Sequence, residues 1–194
     1  MPAAIGIGAD GRPKCAWCLG TTIYEAYHDD EWGVPVRDDR QLFAKLMLDG
    51  FQAGLSWSTI LYKRDNFDRA FDGWDPERIA AYTQDDIDRL LADPGIVRNK
   101  LKVNGAVKNA RAYVQLVEEE GSFSDYLWSF VGGDTIVMRP RGAEDFRATS
   151  PESDALSKAL QKRGFTFVGS TIVYAFMQAV GMIDDHIAGC WRTE

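Results

Sequence analysis

The sequence predicts an all-α fold, and three observations lead to this prediction. Apolar residues recur with helical spacing along most of the chain, and glycines and prolines separate these runs. No segment shows the strict alternation of a half-buried β-strand. With 194 residues, 45% of them apolar, the chain is long enough for a substantial core. We therefore predict one helical domain over residues 15–194, preceded by a flexible tail over residues 1–14.

Three helices are predicted in the first half of the chain. The first ends at Gly50, and a second is expected over residues 53–63. A third begins after the N-cap residue Thr83 and ends before the helix breakers Pro94 and Gly95. The apolar stripe of the first helix consists of Leu42, Phe43, Leu46 and Met47.

A long basic helix is predicted to follow Arg98 and to end at Gly121. A short helix is expected over residues 123–131. Residues 132–148 contain glycines, charges and a proline, a composition that indicates a loop.

Two further helices are predicted near the C-terminus. Ser150 is an N-cap residue with Pro151 at the first helical position, and that helix stops at Gly164. Residues 165–183 carry no charge, but they include several polar residues and glycines. We predict a buried helix over residues 168–180 and no membrane span.

The segment around Pro94 predicts a helix, a tight turn and a second, basic helix. This resembles a helix-hairpin-helix DNA-binding element, in which a glycine turn and free N–H groups at a helix N-terminus face a phosphate. An ordinary antiparallel helix pair is the alternative, and the net charge of −7 argues mildly against nucleic acid. The candidate DNA-binding residues are Gly95, Ile96, Arg98, Lys100 and Lys102.

Four soft metal ligands lie in two pairs at opposite ends of the chain. Cys15 and His28 are near the N-terminus, whereas His186 and Cys190 have the i,i+4 spacing of one helix face. Two thiolates and two imidazoles form the tetrahedral Cys2His2 set of structural zinc sites, with no open position for a catalytic water. The cysteines could instead be buried apolar residues, and the pair formed by Cys15 and Cys18 is a competing redox or metal motif.

A carboxylate and a group of aromatic residues indicate a site for a flat cationic ligand. Asp49 follows an apolar run and precedes a glycine-punctuated junction, where its side chain could face a pocket. Cation–π attraction would hold the face of a nitrogen-rich ring, and the carboxylate would accept its N–H groups. An alkylated purine has these properties. The aromatic residues are Trp17, Tyr24, Tyr27, Trp32 and Trp57.

Several motifs together resemble the bacterial 3-methyladenine DNA glycosylase I family, over roughly residues 15–190. They are YEAYHDDEWGVP at 24–35, QAGLSW at 52–57, SDALSK at 153–158, KRGF at 162–165 and FVG at 167–169.

The resemblance implies a helix-hairpin-helix glycosylase fold in which one structural Zn²⁺, held by Cys15, His28, His186 and Cys190, joins the two ends of the domain. It implies hydrolysis of the N-glycosidic bond of 3-methyladenine in alkylated double-stranded DNA, by base flipping, with the free base as product. It also implies a monofunctional enzyme that has no catalytic lysine and does not cleave the DNA strand.

The resemblance further assigns roles to residues of the pocket. Trp57 would stack on the extruded base, Tyr27 and Tyr24 would meet its edges, and the turn at Gly95 would hold the DNA backbone. Asp49 would hydrogen-bond to the base, although the best-known members have glutamate there. Trp17 would help to close the pocket, and Phe51, where the family often has a polar or small residue, would narrow it or stack in it.

Two alternative functions are compatible with the same residues. One alternative is a helix-hairpin-helix protein that binds damaged DNA without cleaving it, and another is a zinc hydrolase unrelated to DNA. An odd number of cysteines and the lack of a secretory signal favour the reducing cytoplasm. We expect a monomer without membrane partners.

Overall fold

A computed structural model describes residues 4–142 and 145–193, and its fold is mostly helical, as predicted. Two short strand pairs within these ranges correct the prediction of an exclusively helical chain. The strands are β1 (Ile5–Ile7), β2 (Pro13–Cys15), β3 (Ile136–Val137) and β4 (Ile183–Asp184). The helices are α1 (Thr22–Asp30), α2 (Asp39–Gln52), α3 (Trp57–Leu61), α4 (Arg64–Ala70), α5 (Pro76–Ala80), α6 (Gln84–Ala92), α7 (Lys100–Glu120), α8 (Phe123–Trp128), α9 (Pro151–Lys162) and α10 (Ser170–Ala179).

The strands escaped detection because each has only two or three residues, too few for a period-two pattern. Strands β1 and β2 are antiparallel, whereas β3 and β4 are parallel and join the predicted loop over residues 132–148 to the segment after α10.

The segment predicted as a flexible tail contains the β1–β2 hairpin in the structure. Lys14 in β2 is buried, and its Nζ lies 2.6 Å from Asp29 Oδ2 and 3.1 Å from Glu25 Oε2, both on α1. These ion pairs give the hairpin a docking site that is invisible in the local sequence.

The helix predicted over residues 53–63 is shorter than expected. Gly54 adopts a φ of +75°, a left-handed conformation that glycine allows, and the chain turns there. The Ser56 side chain then accepts a hydrogen bond from the Thr59 N–H and caps α3. Lys63 is the N-cap residue of α4, a separate helix that the sequence did not predict.

The helix pair around Pro94 has the predicted shape. Helix α6 begins with a capping box in which Thr83 and Asp86 satisfy each other's backbone N–H groups. Helix α7 starts after Asn99, whose side chain accepts a hydrogen bond from the Lys102 N–H at 3.1 Å, and ends at Gly121. The tight turn lies between Asp93 and Asn99, as predicted.

The predicted buried helix is α10, which packs against both α2 and α9 in the core. It is followed by Gly181, whose φ is +72° and whose position would bring a Cβ within 2.5 Å of the Pro35 backbone nitrogen. A side chain there would push apart the segment after α1 and the end of α10. Among the helices in the described ranges, we find none with the length and apolar character of a membrane span.

Candidate active site and metal centre

A cavity of about 360 Å³ lies where α1, α2 and α10 meet. It contains the residues that the sequence placed in the catalytic group, Asp49, Tyr27 and Trp57, together with Trp17 and Tyr24. Its walls combine aromatic faces with a few polar groups, the usual make-up of a small-molecule site. The polar side chains on its lining are Lys45, Asp49, Gln52, Gln178 and Asp185.

The aromatic wall is built mainly by residues before and after α2. The rings of Tyr27 and Trp57 are 5.3 Å apart, and Trp17 meets Tyr27 edge-on at 6.4 Å. Burial raises the pKa of the Tyr27 hydroxyl well above its ordinary value, so this group remains a neutral hydrogen-bond donor. Trp17 is 38% exposed, which places it at the rim of the cavity.

Asp49 is the carboxylate of this cavity, and only 3% of it is exposed. Its Oδ1 accepts a hydrogen bond from Lys45 Nζ at 2.5 Å. Its Oδ2 is buried and has no hydrogen-bond partner among the described residues. Burial raises the pKa of the Asp49 carboxyl. A buried acceptor without a partner is costly, and an N–H donor entering the cavity would relieve that cost.

Lys45 is a residue of the cavity that sequence reasoning missed. It lies one turn before Asp49 on α2, and its Nζ is 4.1 Å from the centroid of the Trp57 ring. Burial lowers the pKa of its ammonium group. The i,i+4 spacing of Lys45 and Asp49 was the signal available in the sequence, because such pairs meet on one helix face.

The opposite wall also has a carboxylate that sequence reasoning missed. Asp185 Oδ2 accepts hydrogen bonds from Tyr174 Oη at 2.6 Å and from Gln178 Nε2 at 2.7 Å. Its position beside the predicted ligand His186 was the only signal in the sequence. Because Oδ2 already has two donors, this carboxylate holds the wall of the pocket together.

The structure separates Phe51 from the pocket in which the sequence placed it. Phe51 is 2% exposed, and its ring lies 4.8 Å from that of Phe67 and 5.6 Å from that of Phe71. Two helical residues span about 200°, so Phe51 and Asp49 point to opposite sides of α2. Phe51 is a core residue.

The five candidate DNA-binding residues have different environments. Arg98 and Lys100 are exposed, and neither side chain forms an ion pair with another described residue. Gly95 is partly exposed, and its carbonyl accepts hydrogen bonds from Lys63 and Asn66.

Ile96 and Lys102 were predicted as DNA-binding residues, but their side chains point away from solvent and are not placed to contact DNA. Ile96 is 3% exposed and belongs to the core. Lys102 Nζ donates to the carbonyls of Phe51 at 2.8 Å and Ala53 at 2.5 Å. Lys102 therefore caps the end of α2, the helix that carries Asp49.

Three of the four predicted metal ligands, which come from the two ends of the chain, lie together in the structure. Ligand atoms of Cys15, His28 and Cys190 lie within 4.8 Å of one another, and all three residues are buried. Cys190 Sγ is 3.4 Å from His28 Nε2, and the Ile187 N–H donates to Cys15 Sγ at 3.4 Å. Hydrogen bonding with Cys15 lowers the pKa of the Cys190 thiol, which favours its thiolate form.

His186 lies beside this group of three but outside it. Its ring centroid is 5.1 Å from that of His28, and its Nε2 is buried without a hydrogen-bond partner among the described residues. Its Nδ1 is 2.7 Å from Asp184 Oδ1, as His28 Nδ1 is 2.8 Å from Asp29 Oδ1. A carboxylate on Nδ1 leaves Nε2 as the free nitrogen, which is the arrangement of metal-binding histidines.

The predicted ligands are neighbours of pocket residues along the chain. His28 follows Tyr27, His186 follows Asp185, and Trp17 lies two residues after Cys15. A metal ion bound by these ligands would therefore also restrain the neighbouring residues on one wall of the cavity.

Comparison with known proteins places this geometry in a family. Residues 17–193 match the model of the methyladenine glycosylase family. The chain is 46% identical over 177 residues to DNA-3-methyladenine glycosylase 1 of Escherichia coli K12, with 91% of this chain and 95% of the relative covered. A crystal structure of a 3-methyladenine DNA glycosylase I superimposes with a TM-score of 0.89 at 47% identity, covering 92% of this chain and 98% of the other. A single-residue variant of such an enzyme, solved in complex with 3-methyladenine, gives a TM-score of 0.89 at 36% identity, covering 93% and 97% of the two chains.

Proposed function

The chain belongs to the methyladenine glycosylase family, and from this membership and the pocket we propose how it acts on DNA. It is a DNA-3-methyladenine glycosylase, a repair enzyme that hydrolyses the N-glycosidic bond of the alkylated base. One observation carries the assignment of the site: Asp49 Oδ2 is a buried acceptor that has no partner within the described part of the chain, and it lines an aromatic-walled cavity. That environment suits a flat ring that bears N–H donors and positive charge.

The proposed binding mode uses the predicted residues of the cavity. The flipped base stacks on Trp57 and presents its amino group to Asp49, while Tyr27 and Tyr24 contact its edges. Trp17 closes the rim, where its partial exposure lets it move with the incoming nucleotide. Flipping costs a few kcal/mol and is easiest for a damaged base, which itself contributes selectivity.

The chemistry follows from the charge of the lesion. Methylation at N3 makes the purine cationic, so the base is a good leaving group before the enzyme acts. When the N-glycosidic bond breaks, its electron pair goes to the base, and the positive charge moves to the sugar carbon C1′. The Asp49 carboxylate stabilises this charge before and during cleavage, and water then adds to C1′. No strong nucleophile is required.

Asp49 is one methylene shorter than the glutamate that the family resemblance led us to expect. We propose that it reaches the base directly through Oδ2, because in the free enzyme Oδ1 is bound to Lys45 and Oδ2 has no partner among the described residues.

We propose that α6, the turn and α7 form a helix-hairpin-helix element that grips alkylated duplex DNA. The N-terminus of α7 presents free N–H groups toward a phosphate, and Arg98 and Lys100 add exposed positive charge there. Gly95 provides the close backbone approach, and Lys63 and Asn66 hold the turn in place.

The exposed side chains of Arg98 and Lys100 are expected to contribute to DNA affinity, whereas the buried Lys102 is not. Replacing Lys100 or Arg98 with alanine removes one phosphate contact, so affinity for duplex DNA falls severalfold and the salt dependence decreases by about one ion. The Lys102→Met substitution removes the same charge from a buried position, and we expect it to lower thermal stability with an unchanged salt slope. Fluorescence anisotropy over a range of salt concentrations measures this. An equal loss of slope in all three variants would contradict the proposed interface.

The side chains of Cys15, His28, His186 and Cys190 form a set of donor atoms that fits Zn²⁺. Two thiolates and two imidazoles are a preferred set of structural ligands for this ion, and His186 would supply the fourth donor through Nε2, which is buried and has no partner among the residues described. We propose one structural Zn²⁺ per chain, held by Cys15, His28, His186 and Cys190. The ion would cross-link the two ends of the domain, and with protein groups in all four positions it would leave no open site for a catalytic water.

The cellular setting is also proposed on chemical grounds. The three cysteines of the chain are free and buried. Free cysteines suit the reducing cytoplasm, where the DNA of a bacterium also lies. The cavity and the turn are complete within one chain, so we propose that the enzyme acts as a monomer.

A duplex with one 3-methyladenine tests the proposed reaction. We expect the enzyme to leave an abasic site, so that the strand breaks only after treatment with alkali. We also expect no covalent adduct after borohydride reduction, although Lys45 lies in the pocket, because water is the group that adds to C1′ and no lysine nucleophile is needed. A trapped adduct would refute monofunctional action. A gel shift without base release by folded protein would instead favour the non-catalytic binder.

A further inference from the structure

Lys45 contacts the two side chains that the proposed function assigns to the lesion base, Asp49 and Trp57. Its Nζ donates to Asp49 Oδ1 at 2.5 Å and lies over the ring of Trp57, 4.1 Å from the centroid. A carboxylate and an aromatic face are the pair of groups that attracts a cation. In the free enzyme this pair already holds a cation, and that cation belongs to the protein.

We propose that Lys45 is a specificity-determining residue: its ammonium group stands in for the lesion base, and a cationic base displaces it more readily than a neutral one. The proposal rests on the proposed function, since it concerns the same pocket. It adds a selection step that depends on the charge of the base rather than on its shape.

The selection arises from the burial of Asp49. Its carboxylate is 3% exposed, so a negative charge there needs a counter-ion. When a cationic base enters and Lys45 leaves, one counter-ion replaces another. When a neutral purine enters, either Asp49 loses its counter-ion or the ammonium group stays and blocks Trp57. Normal purines are therefore disfavoured by charge.

A second cavity provides a place for the displaced ammonium group. This cavity, of about 610 Å³, is also lined by Lys45, so the side chain lies between the two. Its cations besides Lys45 are Arg37 and Arg64, and Arg64 is 2.5 Å from Glu31. Rotation of the flexible lysine chain would move its charge from Asp49 toward the other carboxylates of this cavity. They are Asp30, Glu31, Asp38 and Asp68.

The same exchange explains how the product leaves. Cleavage returns the electron pair of the N-glycosidic bond to the purine, which becomes neutral, and the water that adds to C1′ releases its proton to the solvent. The free base has then lost the charge with which it displaced Lys45. The ammonium group returns to Asp49 and Trp57, and the neutral base is released.

The Lys45→Met substitution tests the proposal, because it keeps the length of the side chain and removes its charge. Without the competing cation, free 3-methyladenine is expected to inhibit the variant about tenfold more strongly than the wild type. The ratio of single-turnover release rates, 3-methyladenine over the uncharged purine hypoxanthine, is expected to fall by about tenfold. Lys158→Met, which removes an exposed charge on α9, should leave both quantities unchanged.

Each other outcome overturns the inference. Weaker inhibition by 3-methyladenine would mean that Lys45 donates a hydrogen bond to the base. A lower melting temperature with both quantities unaltered would mean a structural role. If the methionine variant does not fold, Lys45→Gln, which keeps a donor for Asp49 without the charge, must show the same two changes. A wild type that releases no 3-methyladenine would refute the proposed function, whereas an active wild type with an unaltered variant refutes only the inference.

Discussion

Replacing Asp49 with asparagine is expected to lower the single-turnover rate of 3-methyladenine release by about 100-fold or more. Removing one preorganised charge-stabilising group from an active site typically has an effect of this size. Asparagine has the shape of aspartate but no charge, so the side chain no longer attracts the cationic base or stabilises the positive charge that develops on the sugar. The rate is measured on a duplex with a single lesion and with enzyme in excess, which separates cleavage from product release.

The matched control for this variant is Asp49→Glu, which keeps the carboxylate and lengthens the side chain by one methylene. We expect it to retain most of the activity, because its charge remains in the cavity. The melting temperature of both variants should stay close to that of the wild type, since the unpaired Lys45 can turn to the carboxylates of the neighbouring cavity. Full activity of the asparagine variant would transfer the catalytic role to the aromatic wall formed by Trp57 and Tyr27.

Loss of the metal is expected to have the largest effect on stability. Removing a structural Zn²⁺ by chelation, or a ligand by His186→Ala, costs on the order of 5 kcal/mol or more, which lowers the melting temperature by about 10–20 °C in a domain of this size. Activity should fall as well, because His28 adjoins Tyr27 and His186 adjoins Asp185 on the cavity wall. Metal analysis and thermal unfolding measure these effects.

Cys18 offers a control within the same cluster. It is buried and free like Cys15 and Cys190, but we propose no metal bond for it. Cys18→Ser should therefore keep one zinc per chain, whereas His186→Ala and Cys190→Ser should lose it. If Cys18→Ser loses the metal and His186→Ala retains it, the ligands are three cysteines and His28. The motif formed by Cys15 and Cys18 would then be the correct reading.

Long elements of the fold were predictable from the sequence because each carries its own signals. Helix α7 shows helical periodicity over its whole length and ends at a glycine, and α9 begins with Ser150 and Pro151. Helix α5, which was missed, has five residues and is too short for a periodic pattern. Helix α1 was missed as well, although its nine residues equal those of α6. Strand β3 pairs with β4 across more than forty residues, and no local signal indicates such a contact.

The residues that line the candidate site were predictable from the family resemblance. The orientation of a side chain that is held by contacts with distant residues was less predictable. The family resemblance placed Asp49, Tyr27 and Trp57 in one pocket although they are up to thirty residues apart, and all three line the cavity. Phe51 could have been excluded from helix geometry, because it follows Asp49 by two positions on α2. The orientation of Lys102 could not, since it depends on carbonyl groups at the end of α2.

The most direct test of the central claim is chromatography of the bases that the metal-loaded wild type releases from methylated duplex DNA. We expect 3-methyladenine to appear as a free base and 7-methylguanine to remain in the DNA. That result would establish a glycosylase whose pocket selects the lesion by the shape and charge of the adenine derivative. Folded, metal-loaded protein that releases no base would contradict the claim and leave a protein that recognises damaged DNA without repairing it.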